Sequence, residues 1–181
     1  MDYFTTSEID YYMNKLMLIC EEAINRNEIP VSCIFIHIPS KKILIDSHNY
    51  TNLTHNASSH CEINCIKYLE KNIELFKKID DKKTYNNLKE LMRDCALFVS
   101  VEPCIMCAYA LSLIEIKKVY FGCYNEKFGG NGSIMSIHLG PGKTYESIGG
   151  FKKDNFIELL RKFYSVGNLK APENKRQRKN V

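Results

Sequence analysis

The sequence has little that would suit a secreted or membrane protein. Its first residues, MDYFTTSEIDYY, lack the basic segment and apolar core of a secretory signal. The longest run of apolar and small residues, CAYALSLI, is far too short to span a bilayer. We therefore expect an intracellular protein with no membrane partner, located in the nucleus, the cytoplasm or both.

Tryptophan is absent, while cysteine is abundant at eight residues. A chain of 181 residues is long enough to bury about 70% of the surface that its unfolded form exposes, so it needs no disulfide bonds to fold. In a reducing compartment, the cysteines are expected to be buried thiols, metal ligands or nucleophiles.

Basic and acidic residues balance over residues 1–167, so this part of the chain carries no net charge. Residues 168–181 hold five basic residues and one acid, which accounts for the whole net charge of +4. The sequence thus predicts one folded domain at 1–167 and a basic C-terminal tail at 168–181. A neutral body with a basic tail favours a polyanionic partner.

The spacing of apolar residues predicts a helix, a β-hairpin, a helix, a strand, a helix, a strand and a final helix. Ser7 resembles the start of a capping box for the first helix, and the second helix is predicted to begin near Ser59. Residues 76–94 are polar and suggest a surface insertion, and 138–150 look irregular. This order of elements indicates a three-layer α/β domain with a mixed central sheet.

Two short motifs carry the chemistry: His60-x-Glu62 and, 44 residues after the histidine, Pro103-Cys104-x-x-Cys107. Both fall at predicted helix starts, where backbone N–H groups and the helix dipole lower the pKa of a thiol. His60, Cys104 and Cys107 supply three zinc ligands, which leaves the fourth position for water, as in a catalytic site. The sequence therefore predicts one catalytic Zn²⁺ per chain.

Glu62 lies near the metal without being needed as a ligand. Zinc lowers the pKa of bound water toward 7, and a neighbouring carboxylate can take that proton and return it to the substrate. The combination of H-x-E with P-C-x-x-C is the signature of zinc nucleobase deaminases. Two other interpretations remain open: a redox pair of Cys104 and Cys107, and a structural zinc with Cys61 or Cys65 as a fourth ligand.

Beyond these motifs, the chain resembles the catalytic subunit of the eukaryotic wobble-adenosine deaminases of tRNA. The resemblance rests on Pro30-Val31-Ser32, Asn49, His60-Cys61-Glu62 and the stretches VSVEPCIMCAYAL and VYFGCYNEKFGGNGS. Cys61 replaces the usual alanine and Ser32 the usual glycine. The resemblance implies a three-layer α/β/α cytidine-deaminase-like fold with about five strands, so residues 1–167 would be the deaminase domain.

The implied reaction is hydrolytic conversion of adenosine to inosine at the first anticodon position. Zinc hydroxide would attack carbon 6 of a flipped-out adenine, ammonia would leave, and Glu62 would protonate ring nitrogen 1 and then the amine. Asn49 would hydrogen-bond the base and Val31 would pack on it, although Val31 is equally well a plain core residue. His55, Cys61 and Pro103 complete the expected substrate-binding set, with a solvated loop histidine as the alternative for His55.

Two regions are expected to bind RNA. In the glycine-rich loop 125–133, Asn125 and Lys127 would face the RNA, with a tight structural loop as the alternative. Basic tail residues would bind phosphates through salt-sensitive contacts, with a solubilising tail as the alternative. These tail residues are Lys170, Lys175, Arg176, Arg178 and Lys179.

The expected partners are tRNA and either a related non-catalytic deaminase subunit or a second copy of this chain. A deaminase of free cytidine, deoxycytidylate or guanine is the competing enzyme, but it has no evident use for a basic tail. A non-catalytic RNA-binding scaffold is the competing protein of another class. The presence of Glu62 favours the catalytic subunit over that scaffold.

Overall fold

The computed structural model describes residues 2–140, 145–166 and 172. In this part of the chain a five-stranded sheet lies between two layers of helices. Short 3₁₀ turns at Ile73–Phe76 and Ile137–Leu139 complete the regular structure. In chain order the elements are α1 (Thr6–Asn25), β1 (Ser32–His37), β2 (Ile43–His48), α2 (Thr51–Thr54), α3 (Cys61–Lys71), α4 (Leu88–Met92), β3 (Cys95–Val101), α5 (Ile105–Leu113), β4 (Lys118–Cys123), β5 (Glu146–Gly149) and α6 (Lys153–Val166).

The sheet is mixed, with the strand order β2-β1-β3-β4-β5. β1 pairs antiparallel with β2 and β3, whereas β3, β4 and β5 run parallel. Because β3 and β4 are parallel, their carboxyl ends meet at the same edge of the sheet, which is where α/β proteins place their ligands. Pro103 and Cys104 follow β3 directly at that edge.

Both faces of the sheet are buried. In β1, Cys33 and Phe35 belong to one core cluster, and Ile34 and Ile36 belong to the other. Such alternation follows from the two-residue period of a strand. α1 and α6 cover the second face, and α3, α4 and α5 lie on the first. The three-layer fold with about five strands is thereby confirmed.

The first helix begins earlier than the sequence predicts. Thr5 is its N-cap, and the capping box pairs Thr5 with Glu8 rather than Ser7 with Asp10. The Thr5 hydroxyl accepts a hydrogen bond from the Glu8 backbone, and the Glu8 carboxylate accepts one from the Thr5 backbone. Glu8 has the longer side chain that this reciprocal bond requires, so the Ser7 prediction was wrong.

The prediction of an irregular 138–150 was also wrong, because this region contains β5. β5 is a four-residue edge strand, too short for a clear alternating pattern, and only its pairing with β4 defines it. The second helix begins at Cys61, two residues after Ser59.

Residues 76–94 lie only partly on the surface. Tyr85 is fully buried, and its hydroxyl bonds to His37 and Asp94. This segment therefore contributes buried side chains to one side of the core and is not only a surface insertion. Its other buried side chains are Phe76, Leu88, Leu91 and Met92.

Within the described residues, no helix is long and apolar enough to cross a membrane. All eight cysteines are free thiols, and seven of them are buried.

Candidate active site

Two helix N-termini meet at the candidate metal centre. His60 is the N-cap of α3 and Cys104 is the N-cap of α5, while Cys107 lies in the first turn of α5. Neither N-cap side chain bonds to its own helix backbone. Both side chains therefore remain available for each other, or for an ion between them.

The donor atoms fit a tetrahedral zinc ion. Nδ1 of His60 lies 3.5 Å from the sulfur of Cys104 and 3.5 Å from that of Cys107. Zinc bonds of about 2.1 Å to nitrogen and 2.3 Å to sulfur at a tetrahedral angle would separate N and S by about 3.6 Å, close to the distances found. Among the described residues, these three are the group whose donor atoms all lie within 4.8 Å of one another.

The protonation of the group also suits a cation. The Cys107 hydrogen bond and the nearby His60 lower the pKa of Cys104 to about 4, against burial. The hydrogen bond to Cys104 and burial raise the pKa of Cys107. The site thus concentrates a thiolate and a second thiol whose proton a metal would displace.

Cys61 and Cys65 point elsewhere. The Cys61 thiol donates to Oε2 of Glu62 over 3.1 Å, and the Cys65 sulfur lies 3.7 Å from that of Cys33. Neither belongs to the donor group with His60. A structural zinc with one of them as fourth ligand is therefore not what the geometry supports.

Glu62 occupies the first turn of α3 and is only 2% exposed. Burial raises the pKa of its carboxyl group, although its own backbone N–H and the Cys61 thiol favour the charged form. The carboxyl group lies beside the donor group but outside it. A buried carboxyl with a raised pKa is suited to hold and release a proton.

Asn49 has a structural task that the sequence did not indicate. Its side-chain oxygen accepts the backbone N–H of Cys61 over 2.9 Å, and its own backbone N–H donates to the carbonyl of Val31. Asn49 thus caps α3 in place of His60, which leaves the His60 side chain free. The amide NH₂ group of Asn49 is left for another partner.

The other expected substrate residues vary in exposure. Val31 is half-buried and packs against the core, Pro103 is buried, and the Pro103 carbonyl accepts the N–H of Gly130. His55 is exposed, in the left-handed conformation, at the end of α2. The structure therefore brings Val31, Asn49 and Cys61 together. His55 lies on the exposed part of the segment that connects β2 to α3.

In the expected RNA-binding loop, Lys127 is exposed and Asn125 is half-buried. The Asn125 side chain accepts the N–H of Phe128 and so closes a turn within the loop. The glycines at 129 and 130 permit close packing, and Gly132 is the one glycine of this loop with a positive φ, at 131°. The tail residues Lys170, Lys175, Arg176, Arg178 and Lys179 lie outside the described residues.

Sequence reasoning missed two buried carboxylates that hold the loops around the site. Glu28 accepts the N–H groups of Asn52 and Leu53, and Glu102 accepts hydrogen bonds from the 125–133 loop. Each is 1% exposed. Glu102 directly precedes a proline, and Glu28 lies two residues before one. A charged residue close to the end of a buried strand was the signal that could have revealed them.

A cavity of about 1070 Å³ lies away from the donor group. Its lining includes the ion pairs of Lys83 with Asp94 and of Arg93 with Glu115. Because none of the three residues of the donor group lines this cavity, cavity size does not identify the active site.

Taken together, the fold and the His-Cys-Cys group beside a buried glutamate define a zinc-dependent deaminase. The family model for the cytidine and deoxycytidylate deaminase zinc-binding region matches residues 6–123. The chain is 35% identical over 178 residues to tRNA-specific adenosine deaminase 2 of Xenopus laevis, covering 96% of each protein. It is 33% identical over 171 residues to tRNA-specific adenosine deaminase subunit tad2 of Schizosaccharomyces pombe, covering 92% of this chain and 40% of that protein.

The chain belongs to the tRNA-specific adenosine deaminases within the cytidine and deoxycytidylate deaminase family. A solved structure from work on A-to-I editing by tRNA:A34 deaminases has a TM-score of 0.69 and 21% identity, covering 83% of this chain and 99% of that one. Guanine deaminase from Nitrosomonas europaea has a TM-score of 0.65 and 15% identity, covering 83% of this chain and 81% of that one. At these identities, both structures support the fold alone.

Proposed function

We propose that this chain is a catalytic subunit that hydrolyses adenosine to inosine at the wobble position of tRNA and releases ammonia. The observation that carries this proposal is the convergence of His60, Cys104 and Cys107 beside the buried carboxyl group of Glu62. The relatives' names supply the substrate: tRNA-specific adenosine deaminases at 33–35% identity.

The cofactor is one zinc ion, and we assign its ligands as Nδ1 of His60 and the sulfurs of Cys104 and Cys107. When bound, zinc supplies a Lewis acid that makes water a nucleophile at neutral pH. The fixed helix starts of α3 and α5 set the positions of these ligands.

Glu62 is assigned the proton transfers. Water adds its oxygen to carbon 6 of adenine, and the amine leaves from the same carbon. Glu62 would take one proton from the water and deliver it to ring nitrogen 1. It would then carry the second proton, from the hydroxyl group now on carbon 6, to the amine, which leaves as ammonia and so generates the C6 carbonyl of inosine. Burial disfavours the charged form of Glu62 and raises the pKa of its carboxyl group, which favours its holding a proton between these transfers.

We assign the substrate contacts from the exposure of each side chain and from the hydrogen-bonding groups that it does not already use within the protein. The oxygen of Asn49 is engaged by Cys61, so its NH₂ group would donate to the base. Val31 would provide an apolar contact, and buried Pro103 would form part of the pocket wall. His55 is exposed and would contact RNA outside the pocket rather than the reacting base.

For RNA binding we assign Lys127, exposed on the loop beside the site, and the basic tail residues. Asn125 is engaged within its own loop, so it would shape the loop more than contact RNA. Basic contacts to phosphates give affinity that does not depend on sequence and weakens with salt.

For assembly we propose that a related deaminase subunit docks on the outer face of α5. Met106, Tyr109 and Leu113 are exposed there at helical spacing, so this helix is apolar on both faces. Such a helix is normally buried on all sides, and the fission-yeast relative is named a subunit. The replacement Tyr109→Glu should abolish co-purification with a related subunit, or self-association in its absence, measured by light scattering; an unchanged mass would refute this assignment.

The function is tested by incubating the full chain, alone and with a related subunit, with tRNA, free adenosine, cytidine and guanine. We expect inosine at the first anticodon position of tRNA and no turnover of the free compounds. A matched reaction with Glu62→Gln controls for contaminating deaminases. Turnover of a free nucleobase or nucleoside in place of tRNA would instead establish the small-substrate alternative.

A further inference from the structure

The environment of Glu102 is the second unusual feature at this edge of the sheet. The residue directly follows β3 and lies just before Pro103 and the proposed ligand Cys104. It is 1% exposed, yet all of its hydrogen-bond donors are neutral. A buried carboxylate is tolerated only where such donors satisfy it.

Both oxygens of Glu102 are bonded to a single loop. Oε1 accepts the backbone N–H groups of Asn131 and Ser133, each at 3.0 Å. Oε2 accepts the N–H of Asn125 at 3.0 Å and the hydroxyl of Ser133. One carboxylate therefore joins the two ends of the 125–133 loop.

The loop packs directly on this carboxylate. A Cβ atom added at Gly129 would lie 2.6 Å from the carboxyl carbon and from both oxygens of Glu102. No side chain fits in that space, so glycine is needed here for close approach. The neighbouring Gly130 is similarly confined, at 2.6 Å from the Cβ of Ala108 in α5.

The same loop also forms hydrogen bonds with residues 103–105, the turn that contains Cys104. The carbonyl of Phe128 accepts the N–H of Ile105 at 2.9 Å, and the carbonyl of Pro103 accepts the N–H of Gly130 at 2.8 Å. These two bonds lie on either side of Cys104. Hydrogen bonds on both sides of Cys104 therefore join the loop to the turn that carries this proposed metal ligand.

We propose that Glu102 is a positioning residue that holds the 125–133 loop against the Cys104 turn, so that Lys127 is presented to RNA at a fixed place beside the metal site. The proposal rests on the proposed function in that the loop faces the RNA. The Glu102 carboxylate bonds to the 125–133 loop and lies outside the donor group, so it acts through that loop. Its contribution is expected in substrate binding rather than in the chemical step.

The test uses limited trypsin cleavage after Lys127, an exposed residue of the loop, on full-length zinc-loaded protein in one assembly state. In Glu102→Gln an NH₂ group replaces an oxygen that accepts two hydrogen bonds. Hydrogen bonds to charged groups are strong enough that the loop should open, and be cut, at least about tenfold faster. Glu28→Gln is the matched control, because it alters a buried carboxylate that holds a different loop, and it should leave the cleavage rate after Lys127 unchanged.

The second readout is kinetic. In Glu102→Gln we expect zinc content near one per chain, a raised KM for tRNA and a nearly unchanged kcat, a split that general destabilisation would not produce. If this variant does not fold, Ser133→Ala removes one hydroxyl donor to the same carboxylate and should give a smaller effect of the same kind.

Unchanged cleavage after Lys127 in the folded variant would overturn the proposal, as would faster cleavage with an unchanged KM. Failure of the proposed function would look different. The wild-type chain would then make no inosine from tRNA, while the cleavage experiment would still report whether Glu102 holds the loop.

Discussion

Glu62 and Glu102 are both glutamates buried at the same edge of the sheet, yet their surroundings differ. Glu102 accepts four hydrogen bonds, three of them from backbone amides. Glu62 accepts a thiol hydrogen bond from Cys61 and one from its own backbone N–H. The Glu102 carboxylate therefore has a hydrogen-bond donor for each of its lone pairs, whereas the Glu62 carboxylate has fewer donors than it can accept.

The difference separates a structural carboxylate from a chemical one. A carboxylate whose oxygens accept four hydrogen bonds has a fixed position, which suits it to hold a loop. Burial with few donors raises the pKa of Glu62, so a proton can be added and removed there. Burial alone would not have distinguished the two, since they are 2% and 1% exposed.

The largest effect is expected from Cys104→Ala. It removes the metal that Glu62 needs but leaves the four bonds of Glu102 intact, so the chain should lose zinc and all detectable deamination. Stability should fall as well, because the ligands join α3 to α5. Elemental analysis and thermal melting provide the measurements, with Cys95→Ala, a buried thiol outside the donor group, as control; undiminished zinc in Cys104→Ala would refute the ligand assignment.

Gly129→Ala tests how closely the 125–133 loop packs on the Glu102 carboxylate. Its Cβ would lie 2.6 Å from the Glu102 carboxyl group, so the loop or the carboxylate must shift. Overpacking of this kind lowers the free energy of unfolding by about 1–3 kcal/mol. Urea unfolding measures it, and Glu126→Ala, at an exposed position of the same loop, should change stability by less than about 0.5 kcal/mol; equal stability of both variants would show that the contact is not tight.

His37 extends the contrast to a buried histidine away from the metal. Burial lowers its pKa below the usual 6.5, against the opposing effect of Asp80 and Asp94, while Lys83 and Lys42 act in the same direction as burial. Well above pH 6.5 the imidazole is neutral in both the folded and the unfolded chain. As the pH falls below 6.5, the unfolded chain binds a proton that the folded chain resists, so stability declines by up to about 1.4 kcal/mol per pH unit.

The measurement is the free energy of unfolding between pH 7.5 and 5.5 for wild type and His37→Gln. The variant should be less stable at pH 7.5, because His37 bonds to Ser40 and Tyr85, but its stability should fall less steeply below pH 6.5. Parallel slopes for wild type and His37→Gln would contradict the expected role of burial.

The smallest effect on the fold is expected from deleting residues 168–181. Zinc content and melting should stay nearly unchanged, while the salt dependence of tRNA binding should flatten by about 0.7–0.9 in log–log slope for each phosphate that the tail neutralises. A salt titration of both chains in the same assembly measures this. Identical slopes would show that the tail is a solvated appendage.

Much of the active site could be predicted from sequence because its chemistry depends on local spacing. His60-x-Glu62 and Cys104-x-x-Cys107 each place their side chains within one helix turn, and the strand before the second motif, CALFVSV, is strongly apolar. The fold followed from the same periodicity, apart from β5, whose four residues are defined by pairing with β4 rather than by their own pattern.

Long-range hydrogen bonds could not be predicted in this way. The bond between Asn49 and Cys61 spans 12 residues, and the bonds of Glu102 span 23 to 31. No periodicity marks such pairs, because each depends on how separate loops pack. The capping box was misplaced for a more local reason: Asp10 has a shorter side chain than Glu8, and the longer one closed the ring with Thr5.

The most direct test of the account is Glu62→Gln in the full chain, with zinc content, thermal melting and single-turnover inosine formation on saturating tRNA measured on one preparation. We predict one zinc per chain, a melting temperature no lower than that of wild type, and a chemical step slowed by at least about 10²-fold. Loss of the zinc would make Glu62 a ligand, and an inosine rate within about threefold of wild type with zinc retained would assign the proton transfers to another group; either result would contradict the account.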